Sequence, residues 1–161
     1  MPALRTALRF GVVLAAAVGT QASAEPDYSN LTLNLDNAWL LVVDPNGART
    51  GRDPASGKEV NEIPAAAEWA DAIDNDVTGE AAKSFSMTVH IDRPAAGAYR
   101  VVVVGQRRGA SKLVVSAWAT DGSEQPSISV PIDLKRGSRN EYQLHFQGAP
   151  GSSLRLDKME P

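Results

Sequence analysis

The stretch Ser84-Phe85-Ser86-Met87-Thr88-Val89-His90-Ile91 sets an apolar side chain at every second position. A period of two puts Phe85, Met87, Val89 and Ile91 on one face of a strand and Ser84, Ser86, Thr88 and His90 on the other, so the segment reads as a strand with one buried face. The pattern continues in both directions. Upstream, Leu31, Leu33 and Leu35 alternate with Thr32 and Asn34, and Trp39-Leu40-Leu41-Val42-Val43 is an apolar run of strand length. Downstream, strand-like runs follow at 99–104, 113–119, 128–132, 142–146 and 154–156. About eight strands punctuated by Gly, Pro, Asn and Asp, without the crossover helices that parallel sheets need, predict an all-β, antiparallel β-sandwich, immunoglobulin-like or jelly-roll-like.

Between the second and third of these strands the pattern lapses. Residues 44–83 predict one long acidic loop with no convincing strand, and loops of that length are usually functional or ordered by a ligand. Within it, Pro64-Ala65-Ala66-Ala67-Glu68-Trp69-Ala70-Asp71 is the one segment that resembles a helix, with proline suited to the first turn and alanine to the interior; an irregular loop is the alternative. The loop opens on Asp44-Pro45-Asn46-Gly47, whose residue order favours a type I turn.

The chain of 161 residues begins with a pattern of its own. Arg5 and Arg9 precede an apolar stretch at 10–18, and Ala22-Ser23-Ala24 fits the small-x-small cleavage rule, so residues 1–24 read as a signal peptide and 25–161 as a single β-sandwich domain, secreted or periplasmic. The apolar stretch is too short to span a bilayer, and no later segment reads as a membrane insertion. There is no cysteine. Thiol catalysis and cysteine-ligated zinc are thereby excluded, and the fold is held by burial and hydrogen bonding.

Acidic residues number 19 against 16 basic ones, a balance that argues against nucleic acid as a partner. Eight of those acids fall between Asp53 and Glu80, with Lys58 the one basic residue among them. That density suits either a solvated loop or a hard cation, and calcium takes its six to eight oxygens readily from such loops. The candidate ligands are Asp44, Asn46, Asp53, Asp74 and Asp76, with Asn75 beside the last two; Asp74 and Asp76 are the favoured pair. The spacing is not that of an EF-hand.

Two portions carry a resemblance. Leu41-Val42-Val43-Asp44-Pro45-Asn46-Gly47-Ala48-Arg49-Thr50-Gly51-Arg52-Asp53-Pro54-Ala55-Ser56-Gly57-Lys58, followed by Asn61-Glu62-Ile63-Pro64 and Ile73-Asp74-Asn75-Asp76, looks like a secreted bacterial β-sandwich accessory module. Pro94-Ala95-Ala96-Gly97-Ala98-Tyr99-Arg100-Val101 resembles the opening of a strand in pre-peptidase C-terminal-like and immunoglobulin-like domains, and is similar to a tyrosine corner. Ala65-Ala66-Ala67-Glu68-Trp69 departs from the Gly-rich, Tyr-containing stretch usual in such modules. The resemblance implies a non-catalytic accessory domain.

No nucleophile elbow, zinc-protease motif, phosphate loop or dinucleotide fingerprint occurs, so the chain is not expected to be an enzyme. The expected function is an exported binding or accessory module, its partner a protein or a cell-envelope polymer. Two alternatives stand beside it: a small envelope-polymer hydrolase using loop carboxylates with His90 or His145, and a structural subunit that associates by edge-strand pairing. The basic turns at Arg107-Arg108 and Lys135-Arg136 read as solvated. Of Trp39, Trp69 and Trp118, a candidate aromatic platform for sugars, Trp39 reads as core and Trp69 as the most exposed.

Overall fold

The computed structural model describes residues 25–72 and 84–160. The expected signal peptide at 1–24 lies outside them, as do Asp74, Asn75 and Asp76. Within them the chain is all-β, with no helix. Eleven strands run in order: β1 (Asn30–Asp36), β2 (Ala38–Val43), β3 (Arg49–Arg52), β4 (Glu59–Asn61), β5 (Ala66–Asp71), β6 (Ser86–Asp92), β7 (Gly97–Gly105), β8 (Gly109–Trp118), β9 (Glu124–Leu134), β10 (Arg139–Phe146) and β11 (Arg155–Lys158). They form two antiparallel sheets, one ordered β5-β6-β1-β8-β9 and the other β11-β10-β7-β2-β3-β4, packed as a sandwich.

The alternating residues supply the core. Leu31, Leu33 and Leu35 of β1, Met87, Val89 and Ile91 of β6, and Leu113, Val115 and Ala117 of β8 meet Leu40 and Val42 of β2, Val101 and Val103 of β7, and Leu144 and Phe146 of β10. At about 25 cal/mol per Å² of apolar surface removed from water, this interleaving is the main source of stability in a chain without disulfides. Between β1 and β2 the chain passes from one sheet to the other through the single residue Asn37, whose φ of 55° asparagine tolerates better than most. Before β7, the Tyr99 hydroxyl donates to the Ala95 carbonyl at 2.8 Å, and the ring is 1% exposed. The corner thus satisfies a phenol that burial would otherwise penalise, and the same burial pushes its pKa far up.

Three strands correct the reading of 44–83 as a strandless loop. β3 pairs with β2, β4 with β3, and β5 with β6, each antiparallel. These strands are short, and Arg49, Gly51, Arg52, Glu59 and Asn61 interrupt any apolar alternation, so backbone pairing with strong neighbours decides their conformation. The segment at 64–71, which resembles a helix in sequence, is edge strand β5. Ala65 sits at a φ of 55°, outside the right-handed helical region, and Ala66 to Asp71 then pair residue by residue with Ile91 to Ser86. Eight residues are too few for a stable isolated helix, whereas pairing alongside β6 satisfies the backbone at once.

β5 lies against β3 and β4, which closes one side of the sandwich. On the other side, β9 and β11 leave a cleft of about 370 Å³ between them, lined in part by Val130, Ile132, Tyr142 and Leu156.

Candidate functional site

Register fixes what the outer face of the five-stranded sheet presents. Thr32 stands opposite His90 on one side and Ser116 on the other, and Ala67 lies beyond His90. The next rung sets Asn34 between Thr88 and Val114, with Trp69 beyond Thr88 and Ser129 beyond Val114. The second rung crosses all five strands and the first runs from β5 to β8, and neither contains aspartate, glutamate, lysine or arginine. Charges gather at the ends instead, with Asp36, Asp71 and the exposed Lys112 at one and Asp92 and Glu124 at the other.

The polar groups of the face are tied to one another. The Asn34 side-chain amide donates to Ser86 Oγ at 2.9 Å and to Thr88 Oγ1 at 2.8 Å. Ser116 and Ser127 share a hydrogen bond of 3.2 Å between their hydroxyls. His90 places Nε2 3.1 Å from Asp92 and Nδ1 2.8 Å from the Thr32 hydroxyl. An ionised Asp92 only accepts, so Nε2 carries the proton and Nδ1 accepts from Thr32. Bonds of this kind hold short side chains in single orientations and leave a flat surface.

Aromatic side chains rise at the margins. Trp69, on edge strand β5, is 42% exposed. Trp118 is half-buried at the end of β8, beside Asn30 and flanked in sequence by the buried Ala117 and Ala119. Tyr28, just ahead of β1, is 61% exposed, and its amide donates to the Thr120 carbonyl. Trp39 belongs elsewhere: half-buried on β2, it packs against the core, with the Arg52 guanidinium 5.3 Å from the ring centroid.

The outer face of the six-stranded sheet is built differently. Arg100 and Arg139 both pair with Glu141, at 3.2 and 2.7 Å, and Arg155 pairs with Asp157 at 2.8 Å. Arg49 makes a two-pronged contact with Glu62, which holds that carboxyl below its usual range. His145 lies on this face, between the core residues Leu144 and Phe146. Arg155 can only donate, so the 2.9 Å contact makes His145 Nε2 the acceptor. His90 and His145 therefore occupy outer faces of different sheets and share no cleft.

The acidic residues expected to bind a cation are placed as follows. Asp44 is buried, and its Oδ1 accepts from the amides of Asn46 and Ala48 at 2.9 and 2.8 Å, closing the turn that the sequence favours. Asn46 is exposed at the tip of that turn. Asp53 accepts from the Ala55 amide at 2.8 Å and lies 3.8 Å from Arg49, and the backbone bond lowers its pKa. Among the described residues no group of three or more acidic or histidine side chains is arranged to hold a metal ion. Asp74 and Asp76 are outside those residues.

Glu68 is a feature the sequence reading passed over. Its side chain is only 5% exposed, on the inner side of β5 opposite Val89, with Arg52 3.8 Å away. Burial raises its pKa, and Arg52 offsets part of that. The only sequence signal was a glutamate flanked by small residues and tryptophan.

Compared with family models, with curated proteins and with solved structures, the chain finds no match.

Proposed function

We propose that this chain is an exported, non-catalytic accessory module that binds a cell-envelope polymer through the outer face of its five-stranded sheet. The observation that carries this reading is the pair of hydrogen-bonding rungs without acidic or basic side chains other than His90, one rung ending on the exposed Trp69. Protein surfaces ordinarily intersperse charges of both signs, as the opposite face does with its arginine and carboxylate pairs. A face without them has less to lose by giving up water to a ligand. The resemblance of residues 41–64 and 94–101 to accessory modules supports the same reading.

The hydrolase alternative needs His90 and His145 to line one shared cleft with an acid, and the two imidazoles lie on different sheets. Saturable binding of an envelope polymer without release of product supports the proposal. Saturable turnover abolished by one substitution would overturn it, and binding confined to a protein partner would move the module to the protein-binding class.

Calcium enters the proposal only as a stabilising ion. Thermal unfolding with millimolar calcium and then with excess chelator tests it, since a ligand bound only by the native state raises Tm. A shift of several degrees lost in Asp74→Ala and Asp76→Ala supports the ion, and no shift removes it.

A further inference from the structure

We infer that the ligand of this face is a neutral polysaccharide, laid flat across β5, β6, β1 and β8, with Trp69 and Trp118 stacking on sugar rings and the Asn34 and Thr32 rungs beneath it. This rests on the reading of the chain as a binding module and adds the chemical class. Sugar rings pair apolar C–H faces with a rim of hydroxyls, so their receptors need flat aromatic surfaces and closely spaced donors and acceptors, with no call for charge. The face has this composition. Hydroxyls of Thr32 and Ser116 and the amide of Asn34 line it, over the buried Thr88, and indoles stand at two of its margins.

The geometry sets the size of the ligand. Trp69 pairs with Thr88 on the rung of Val114, whereas Trp118 lies four residues beyond Val114 along β8. With strands about 4.8 Å apart and about 3.4 Å per residue, the two indoles are separated by roughly 20 Å along a diagonal. A single sugar spans only one of them, so a polymer or a long oligosaccharide is required to reach both.

Charge decides between polymers. An anionic glycan approaching this face meets Asp36, Asp71, Asp92 and Glu124 at its ends against the cation Lys112 of β8, with no cation in the two rungs. Arg100, Arg139 and Arg155 are on the other sheet, each already paired with a carboxylate. The neutral polymer is therefore the one that fits. The mutual hydrogen bonds of Asn34, Thr88 and Ser86 fix the surface before the ligand arrives, which limits the ordering cost of binding.

The test is affinity electrophoresis of the full protein in gels containing hydroxyethylcellulose, dextran or a mixed-linkage β-glucan, with alginate as the anionic comparison. Retardation by at least one neutral polymer is expected, weakened about tenfold or more by Trp69→Ala, which removes one stacking surface. Trp69→Phe should recover part of it, and Arg155→Ala on the opposite face should leave it unchanged. Far-UV circular dichroism of each variant separates lost binding from lost folding. Binding to alginate that survives Trp69→Ala and falls with Arg100→Ala would overturn this assignment and leave the binding-module reading standing. No retardation by any of the polymers would overturn both the neutral-glycan assignment and the polymer-binding reading.

Discussion

The Leu40 amide donates to the sulfur of Met87, 3.1 Å away, so that a backbone group of one sheet is satisfied by a core side chain of the other. Both residues are essentially unexposed. The thioether is a weak acceptor, and the donor it accepts from is buried. Met87→Leu conserves volume and removes the acceptor. It is expected to destabilise by about 1–3 kcal/mol, a fall of several degrees in Tm, whereas Leu113→Met, a similar swap with no polar partner, should lose less. Differential scanning calorimetry of the two variants checks this.

Gly51 is the second point where the sheets depend on a particular atom. It sits at a φ of +120°, and a Cβ added there would overlap the carbonyl oxygen of Leu40 on the paired strand. Both the conformation and the contact exclude a side chain. Gly51→Ala is expected to cost roughly 2–5 kcal/mol, while Gly47→Ala, at a φ of +88° in open space, should cost only about 1 kcal/mol. Urea unfolding midpoints at a common m-value would show the contrast, and equal losses would contradict it.

Glu68 links stability to pH. Its folded-state pKa lies above the ordinary 4.5 because the carboxyl is buried. Below 4.5 both folded and unfolded forms hold the proton and the group is neutral in its effect. As pH rises from 4.5 toward the folded-state value, the unfolded form ionises while the folded form keeps its proton, so stability falls, and above that value the loss is complete. Glu62, whose pKa is lowered by Arg49, acts in the opposite sense: its contribution is present above the ordinary value and lost as pH drops through the folded-state one. Glu68→Gln should therefore raise Tm relative to the parent at neutral pH and match it near pH 4. A difference independent of pH would refute the assignment.

Asp44 is engaged by its own turn. With Oδ1 accepting from Asn46 and Ala48, the carboxylate acts as a cap, and Asp44→Ala should cost about 1–2 kcal/mol. The same loss is expected with calcium or with chelator present, because the amides and not an ion satisfy the oxygen. A loss seen only with calcium would make Asp44 a ligand.

Where the chain alternates, as at Leu31 to Leu35 or Met87 to Ile91, burial on one side of a strand is written in the order of side chains, and each of the eight expected runs overlaps a strand. β3, β4 and β5 are not legible in that way. Arg49 to Arg52 become a strand because β2 offers them a ladder, and Ala66 to Asp71 because β6 does; the information lies in the neighbours. The candidate face shows the same limit. Thr32, Asn34, Thr88 and His90 could each be assigned to a polar side from the local pattern, and Trp69 could be read as exposed. That these residues meet Ser116 and Ser129 in shared rungs depends on a strand order linking the first strand to the sixth and eighth, for which sequence spacing holds no signal.

That strand order also governs how the molecule comes into being. β1 is the middle strand of its sheet, and Leu33 finds its partners only in Val89 and Val115. β1 must therefore wait for β6 and β8, far along the chain, before it can be zipped on either side. Loop-closure entropy precedes any reward from such distant pairings, so folding belongs to the millisecond-to-second range typical of all-β sandwiches. Until then the apolar side chains of β1 face water with no opposing sheet to cover them, and the unpaired strand is open to chance association.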